Sequence, residues 1–330
     1  MGDPTSRYIR LFAPTVGINA RGKTRRLQRV MTDFGIEHSF ATSCRRLKEH
    51  YGFEINASAI RTSTLHHAHR AKKQMEAEYS KTFRTLPQKG PTHVIAQADG
   101  TMICTVPKGK RKAKRPRQWR EMRLVAAEAQ GSLTPVFAAT FGDPSEVGAR
   151  WGHCAKDAGW GLETQIHVVG DGAEWIRLQS AEVFGNQCSF LIDFFHLSQY
   201  LAAAGEICRA SSPKRWLKTQ QNRLKRGAAQ MVLKEMKPYL EAPSVTDEQA
   251  PVRCAYRYLN NRLECVNYPK AIENEPPIGS GLIESGHKHV LHARLKGSGT
   301  AWLAENADDL AQLRVLRAND HWDGLWKRAA

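Results

Sequence analysis

The sequence predicts an α/β protein in which a mixed β-sheet is flanked by helices, and three observations support this class. Pro and Gly cluster at residues 86–91 and separate a basic, helical N-terminal part from the rest. Three strand-like segments follow, and then helical and strand-like segments alternate. Beyond residue 193 the pattern becomes helical. We therefore predict a helical region at 1–90 and an α/β domain at 91–330, with a helical insertion at about 200–275.

The N-terminal region is predicted to contain two helices separated by a short turn. Phe40, Cys44 and Leu47 share one helical face, Gly52 suits the left-handed conformation that ends a helix, and Asn56 can cap the next helix. Two helices around a glycine turn, the second carrying basic side chains, indicate a helix-turn-helix that binds DNA. A purely structural helical hairpin is the alternative, since such pairs are common.

The strands of the α/β domain are predicted from short apolar runs bounded by turn residues. They lie at residues 93–98, 119–130, 133–141, 165–169 and 188–192, and a helix is expected at 173–184. Gly131-Ser132 forms a plausible hairpin turn between the second and third strands. This succession of strands and helices predicts a mixed sheet.

A formal net charge of +17 is the unusual property of the composition. Lys and Arg beside phosphates release condensed counterions, so this excess favours a nucleic-acid partner. A merely basic soluble protein is the alternative that charge alone leaves open. Hydrophobic residues at 41% and charged residues at 25% are typical of a folded soluble chain.

Cysteine usage and hydropathy bear on the compartment. Seven cysteines occur without a C-x-x-C pair, which argues against a zinc ribbon and a full disulfide framework. Residues 1–12 lack the apolar core of a signal peptide, and no stretch approaches the ~18–20 apolar residues that span a bilayer. We expect a cytoplasmic protein with no membrane partner.

Three aspartates each directly follow a predicted strand: Asp99, Asp171 and Asp193. Strand ends can bring side chains from distant parts of a chain to one point. Glycines flank Asp171 and follow Asp99, and glycine lets ions or phosphates approach the backbone closely. Each aspartate taken alone is better explained as a turn residue or a helix cap than as a catalytic residue. Three together in a basic chain favour a catalytic set.

A fourth carboxylate, Glu284, follows a Gly-Ser-Gly turn and is predicted to lie in the first turn of a helix. Dipole stabilisation or a pair with Lys288 would contribute only ~0.3–1 kcal/mol, which does not explain the adjacent glycines. Phosphodiester transfer by the two-metal route needs hard oxygen ligands around two Mg²⁺ about 3.5–4 Å apart. Asp99, Asp171 and Glu284 are therefore candidate catalytic residues and metal ligands.

An Asp and a His lie three residues apart in Asp193-Phe194-Phe195-His196. They are candidates for an accessory ligand or a phosphate contact. The alternative for His196 is a capped structural histidine.

Two basic segments are candidates for contacts with the DNA backbone, which position DNA without reading its sequence. The first joins the first two strands and holds Lys108, Lys110, Arg111, Lys112, Lys114, Arg115, Arg117 and Arg120. The second lies in the last helical section and includes Lys288, Arg294 and Lys296. A solvated loop or a nonspecific localisation signal is the alternative for the first.

Several motifs occur in a fixed order over residues 91–326. They are Asp99-Gly100-Thr101, Trp119-Arg120-Glu121-Met122-Arg123, residues 170–176, 193–196 and 277–285, and Arg294-Leu295-Lys296. This succession resembles the bacterial ISKra-type insertion-sequence transposases, which are distantly similar to the Mutator-like group.

The resemblance implies a ribonuclease-H-like fold with a DDE triad at Asp99, Asp171 and Glu284, and an accessory Asp-x-x-His at Asp193 and His196. It implies metal-dependent DNA cleavage and strand transfer by a bacterial, nucleoid-associated protein, with two Mg²⁺ for which Mn²⁺ substitutes. Because transposition joins two ends, we expect a homodimer on DNA. A nuclease without strand transfer and a noncatalytic DNA-binding remnant are the alternatives.

Overall fold

The structure, a computed structural model, describes residues 22–52, 54–80, 85–109 and 115–327. Over these ranges the chain is a mixed α/β protein with a six-stranded mixed sheet flanked by helices. It divides into two compact units. Among the described residues, unit 1 comprises 22–52, 54–80, 103–109, 115–119 and 290–327, and unit 2 comprises 85–102 and 120–289.

The elements are numbered here in chain order. The strands are β1 (His93–Val106), β2 (Gln118–Ala129), β3 (Val136–Thr140), β4 (Gln165–Gly170), β5 (Cys188–Ile192) and β6 (Trp302–Leu303). The first helices are α1 (Arg25–Glu37), α2 (Phe40–Tyr51), α3 (Ala57–Tyr79), α4 (Pro144–Asp157), α5 (Glu174–Phe184), α6 (Phe194–Cys208) and α7 (Pro213–Lys225). The later helices are α8 (Ala229–Met236), α9 (Pro251–Asn260), α10 (Tyr268–Glu273), α11 (Gly281–Gly286), α12 (Ala293–Leu295), α13 (Ala304–Ala318) and α14 (Trp322–Trp326). A π-helical segment, His287–His292, joins α11 to α12.

The sheet has the strand order β3-β2-β1-β4-β5. β2 and β3 pair antiparallel, whereas β4 pairs in parallel with both β1 and β5. In unit 1, the last two residues of β1 also pair in parallel with β6. In unit 2, α5 packs on β4 and β5 while α4 packs on β3, which covers apolar side chains of these strands.

The caps of the N-terminal helices agree with the sequence prediction. Gly52 ends α2 with φ 69°, a left-handed conformation that costs glycine little. Asn56 caps α3, and its side-chain oxygen accepts a hydrogen bond from the backbone N–H of Ala59 at 2.8 Å. Both helices therefore begin and end where the residue types indicate.

The helices of unit 1 enclose a small apolar core around Met31, Leu47 and Ile60. The C-terminal helix α13 packs against α3, where Lys72 Nζ lies 2.6 Å from Asp308 Oδ2. This packing places residues 290–327 in the same unit as the N-terminal helices, which differs from the predicted division at residue 90.

The predicted insertion is helical in the structure. Helices α6 to α10 surround one apolar cluster that includes Leu197, Trp216, Val232 and Tyr268. Three elements differ from expectation: α4 and β6 were not predicted, and β1 continues to Val106 instead of ending before Asp99.

Two further observations concern the cysteines and the length and hydropathy of the helices. The seven cysteines, all within the described ranges, are free thiols. In the part of the chain that the structure describes, no helix has the length and apolar character needed to cross a membrane.

Candidate active site

The three predicted aspartates lie in one row across neighbouring strands of unit 2. Gln97 on β1 is in register with Val169 on β4, so the positions two residues further on are Asp99 and Asp171. Gly170 is in register with Ile192 on β5, so the next positions are Asp171 and Asp193. Adjacent strands lie about 4.8 Å apart, which brings three acidic positions side by side.

The row lies where β4 and β5 end. Asp171 and Asp193 directly follow these strands, as predicted. Asp99 was expected to follow its strand, but it lies within β1 because β1 continues beyond the end of its pairing with β4. The parallel register, and not the end of β1, therefore aligns Asp99 with the other two.

Asp193 is buried, with 2% of its surface exposed, and its carboxylate is fully engaged. Oδ1 accepts from the backbone N–H groups of Phe195 and His196 at 2.6 and 3.1 Å, which caps α6. Oδ2 accepts from the backbone N–H of Ser280 at 3.0 Å and from the Ser280 hydroxyl. These contacts join the end of β5 to the turn before α11.

Gln97 fixes the start of α11 from the sheet. Its side-chain amide donates to the carbonyl of Gly279 at 3.1 Å, and its oxygen accepts from the backbone N–H of Ile283 at 2.9 Å. Side chains two residues apart on a strand share a face, so Asp99 projects on the face of β1 against which α11 is held. Two buried polar residues, Gln97 and Asp193, thus set the position of α11.

Glu284 lies in the first turn of α11, as predicted, and its side chain is exposed. Its Oε1 is 3.4 Å from the hydroxyl oxygen of Ser280, which also binds Asp193. Glu284 is therefore connected through one serine to the end of the aspartate row.

His287 contacts Asp99 directly. Its Nε2 lies 3.3 Å from Asp99 Oδ2, and the histidine side chain is 5% exposed whereas that of Asp99 is 41% exposed. His287 begins the π-helical segment after α11, and such segments are frequent at functional sites. The other oxygen, Oδ1, accepts from the backbone N–H of Gly100 at 2.7 Å, and the carboxylate remains partly exposed to solvent.

The insertion holds the backbone that follows Asp171. The Tyr258 hydroxyl donates to the Asp171 carbonyl at 2.5 Å, and the Arg262 guanidinium donates to the Gly172 carbonyl at 3.0 and 3.2 Å. Burial raises the pKa of the Tyr258 hydroxyl, so it remains a donor. The Asp171 carboxylate accepts from the backbone N–H of Ala173 at 2.9 Å. Helix α9 therefore positions a catalytic candidate through its main chain.

His196 lies beside this anchor instead of in the aspartate row. Its ring packs edge-on against Tyr200 and Tyr258, with centroid distances of 5.4 and 5.7 Å. These surroundings match the alternative stated for His196, that of a histidine with a structural role.

The glycines near the row are close to protein side chains. A Cβ at Gly100 would lie 2.1 Å from Glu121 Oε1, and a Cβ at Gly172 would lie 2.5 Å from Arg262 Nε. The expectation that these glycines admit ions or phosphates needs correction, because neighbouring side chains fill the space. Glu121 in turn pairs with Arg123 at 2.5 Å.

Three carboxylates of this site have the chemistry that a hard divalent cation requires. Asp99, Asp171 and Glu284 offer carboxylate oxygens, the ligands that Mg²⁺ prefers, and two of them come from adjacent strands. Within the described ranges, no three Asp, Glu, His or Cys side chains are gathered closely enough to form a metal site. The residue types and the placement of the backbone fit Mg²⁺, and the side chains are not drawn together.

The predicted basic residues differ in their surroundings. Lys110, Arg111, Lys112 and Lys114 lie outside the described residues. In unit 1, Arg117 and Lys296 are exposed, Arg115 is half-buried, and Lys108 is exposed and pairs with Glu305 at 2.7 Å. In unit 2, Lys288 is exposed, and the exposed Arg120 lies over the Phe141 ring at 5.0 Å.

Arg294 departs from the predicted basic surface. It is buried in unit 1, where it donates to the Gly35 carbonyl at 3.0 Å and lies between the rings of Phe40 and Trp302. Burial lowers the pKa of its guanidinium to about 10. Its charge therefore supports the packing of unit 1 and does not face solvent.

Sequence reasoning missed three residues of this site. Gln97 and Ser280 anchor α11, and His287 contacts Asp99. Gln97 carried a usable signal, because it is a polar residue inside an otherwise apolar strand. The sequence did not indicate a role for His287 beside Asp99, since the two residues lie far apart along the chain.

Residues 160–328 match the model of an uncharacterised protein family, UPF0236. No curated protein matches the chain. Among solved structures, one titled "Drosophila P element transposase strand transfer complex" is similar, with 10% sequence identity, a TM-score of 0.40, and coverage of 93% of this chain and 95% of that chain.

Proposed function

We propose that this chain, which belongs to the uncharacterised protein family UPF0236, is a DDE transposase that cleaves and transfers the ends of an insertion sequence. The observation that carries the proposal is the alignment of Asp99 and Asp171 on adjacent parallel strands, with Glu284 on the helix fixed beside them. The strand order supports the ribonuclease-H-like fold and the ISKra-type relationship that the motifs imply.

In this proposal, Asp99, Asp171 and Glu284 hold two Mg²⁺, for which Mn²⁺ substitutes. When bound, the ions would activate the attacking water or 3′-hydroxyl and stabilise the leaving oxygen. Glu284 is exposed and lies on a short helix, so rotation of its side chain alone could bring its carboxylate to a bound metal ion.

Asp193 has a positioning role in this proposal and is not a ligand. Both of its oxygens already accept hydrogen bonds, and removing them would free the turn that carries Glu284. His196 and Tyr258 similarly support the main chain at Asp171.

DNA is the proposed partner. The helices α2 and α3 have helix-turn-helix character, and the exposed residues Arg117, Arg120 and Lys288 offer positive charge for phosphates. Two chains acting on two DNA ends would form a homodimer.

The test is cleavage and joining of labelled DNA that carries an element end and its flank, with Mg²⁺ or Mn²⁺. Wild type is compared with Asp171→Asn, which keeps the side-chain shape but removes the charge. Metal-dependent products that join to target DNA, and that disappear with EDTA or in Asp171→Asn, are the expected result.

Other outcomes identify the alternatives. Cleavage without joining of a 3′-hydroxyl end would indicate a nuclease. DNA binding without products from either protein would indicate a noncatalytic remnant.

A further inference from the structure

The helical insertion contains a concentration of positive charge that the proposed active site does not use. Between residues 209 and 237 the sequence holds nine Lys or Arg and a single acidic residue, Glu235. The nine are Arg209, Lys214, Arg215, Lys218, Arg223, Lys225, Arg226, Lys234 and Lys237. This segment of 29 residues carries a net charge of +8 (9 − 1), against +17 for all 330 residues.

Helical packing places this charge on the outside of unit 2. Helix α7 buries Trp216, Gln220 and Leu224, and α8 buries Val232 and Met236. The basic side chains occupy the remaining positions, and eight of the nine are exposed: Arg209, Lys214, Arg215, Lys218, Lys225, Arg226, Lys234 and Lys237. We call these eight residues the insertion face.

Little of this charge is neutralised within the molecule. Among the described residues, Arg223 alone of the nine forms an ion pair, with Glu235. Lys225 lies over the Phe194 ring at 4.9 Å and keeps its charge. Clustered like charges repel one another in the folded chain, and a bound polyanion removes that cost.

The chemistry of the face fits a phosphate backbone. Lys214 and Lys225 are eleven residues apart on α7, which corresponds to about 16 Å at 1.5 Å per residue. That length is roughly half of one turn of duplex DNA. The apolar side of α7 is used in the core, so the helix offers no apolar face for insertion into a lipid surface.

We propose that the insertion face binds the phosphate backbone of duplex DNA, independently of sequence, as a surface additional to the basic segments near β1 and α11. The inference rests on the proposed function, because the DNA that binds the insertion face is the DNA that the proposed active site of unit 2 would cleave. It extends that function by assigning the insertion a direct role in holding DNA, in addition to supporting Asp171.

The experiment measures the affinity for labelled duplex DNA by fluorescence anisotropy over a range of salt concentrations. The face variant carries Lys214→Gln, Arg215→Gln and Lys218→Gln. The control variant removes the same charge from exposed positions elsewhere in unit 2, with Lys89→Gln, Lys156→Gln and Lys270→Gln. Circular dichroism and thermal unfolding verify that both variants fold like the wild type.

Each phosphate contact contributes about 0.9 to the slope of log affinity against log salt. We therefore expect the plot for the face variant to be shallower, with the magnitude of its slope smaller by about 2 to 3. The control variant should retain the wild-type slope.

Three results would overturn the inference. A face variant with the wild-type slope would show that the insertion face does not hold DNA, and would leave the proposed function standing. An equal decrease in both variants would show a general charge effect. Binding of the wild type to vesicles of anionic phospholipid but not to duplex DNA would contradict both this inference and the proposed function.

Discussion

At the scale of single residues, the aspartates of the row differ in what surrounds them. Asp193 is buried and accepts four hydrogen bonds, whereas the Asp99 side chain is 41% exposed and contacts His287 on one side. A buried carboxylate that accepts four hydrogen bonds positions the chain, and one that remains partly exposed to solvent can bind a ligand. This difference separates the supporting role of Asp193 from the proposed catalytic roles.

Asp193→Asn is expected to destabilise unit 2. The asparagine amide keeps one acceptor oxygen, but an NH₂ donor replaces the second carboxylate oxygen, which accepted from Ser280. The turn before α11 therefore loses its hydrogen bonds to a charged group. Such bonds contribute about 1.5–3 kcal/mol each. Urea unfolding should show a decrease of that order for Asp193→Asn and less than about 1 kcal/mol for the control, Asp99→Asn. Equal losses in the two variants would contradict the assigned roles.

His287 is expected to hold the Asp99 carboxylate for metal binding. Replacing a residue that orients a metal ligand typically weakens metal affinity by about 10–100-fold. His287→Ala should therefore weaken Mn²⁺ binding, measured by electron paramagnetic resonance of the free ion, by that factor. His287→Gln keeps an N–H donor near the position of Nε2 and should restore most of the affinity. Wild-type affinity in the alanine variant would show that the contact has no such role.

The sequence predicted single residues best where the chemistry is local. Asp171 and Asp193 follow apolar strands, and that position is visible in the sequence. The contacts of Gln97 with Gly279 and of His287 with Asp99 join residues more than 180 positions apart. No local pattern encodes such contacts, so they required the tertiary structure.

At the scale of elements, caps and turns were predictable and strand length was not. Gly52 and Asn56 marked the ends of α2 and α3 because their side chains determine the local conformation. Asp99-Gly100 looked like a turn, yet β1 continues through it because β2 pairs with β1 and β6 pairs with the last two residues of β1. The start of helix α4 is marked in the sequence by Asp143, which caps it, and by Pro144 at its first position, yet this helix was not predicted.

The contact between α1 and α3 predicts an acid sensitivity centred on His67. Its Nε2 lies 3.0 Å from Gln28 Oε1, and its Nδ1 lies 3.2 Å from the Arg70 guanidinium, so a neutral ring with Nε2–H satisfies both partners. Burial, and then the charges of His66 and Arg70, lower the pKa of His67 to about 3. The unfolded histidine has a pKa of about 6.5.

Because the folded pKa is below the unfolded pKa, the unfolded chain binds more protons between these values. Stability therefore falls as pH decreases through 6.5, by about 2 kcal/mol between pH 7 and pH 5. His67→Gln keeps a donor for Gln28 and cannot titrate. Urea unfolding at the two pH values should show a smaller loss for this variant than for the wild type; the same loss in both would contradict the assignment.

At the scale of the whole molecule, the sequence indicated the class of partner but not the surfaces. The charge of +17 favoured a polyanion, yet Arg294 and Arg314 are buried and bind backbone carbonyls in unit 1. Conversely, the segment between residues 209 and 237 was predicted only as helical, and its charge proves to be exposed once packing defines the buried side chains. Burial decides which charges can meet DNA, and burial is a tertiary property.

The proposed function predicts the stoichiometry of the complex. With two element ends to join, two chains of 37.0 kDa should bind together when both ends are supplied. Light scattering coupled to size-exclusion chromatography should give a protein mass of about two chains in the DNA complex. One chain per pair of ends would contradict the homodimer.

The most direct test of the central claim locates the metal site itself. Fe²⁺ bound in a Mg²⁺ site, supplied with ascorbate and hydrogen peroxide, produces hydroxyl radicals that cut nearby backbone. With duplex DNA present, we predict cuts close to residues 99, 171 and 284, suppressed by excess Mg²⁺ and absent in Asp171→Asn. Cuts elsewhere in the chain, or an unchanged pattern in Asp171→Asn, would contradict the assignment of Asp99, Asp171 and Glu284 as the catalytic metal ligands.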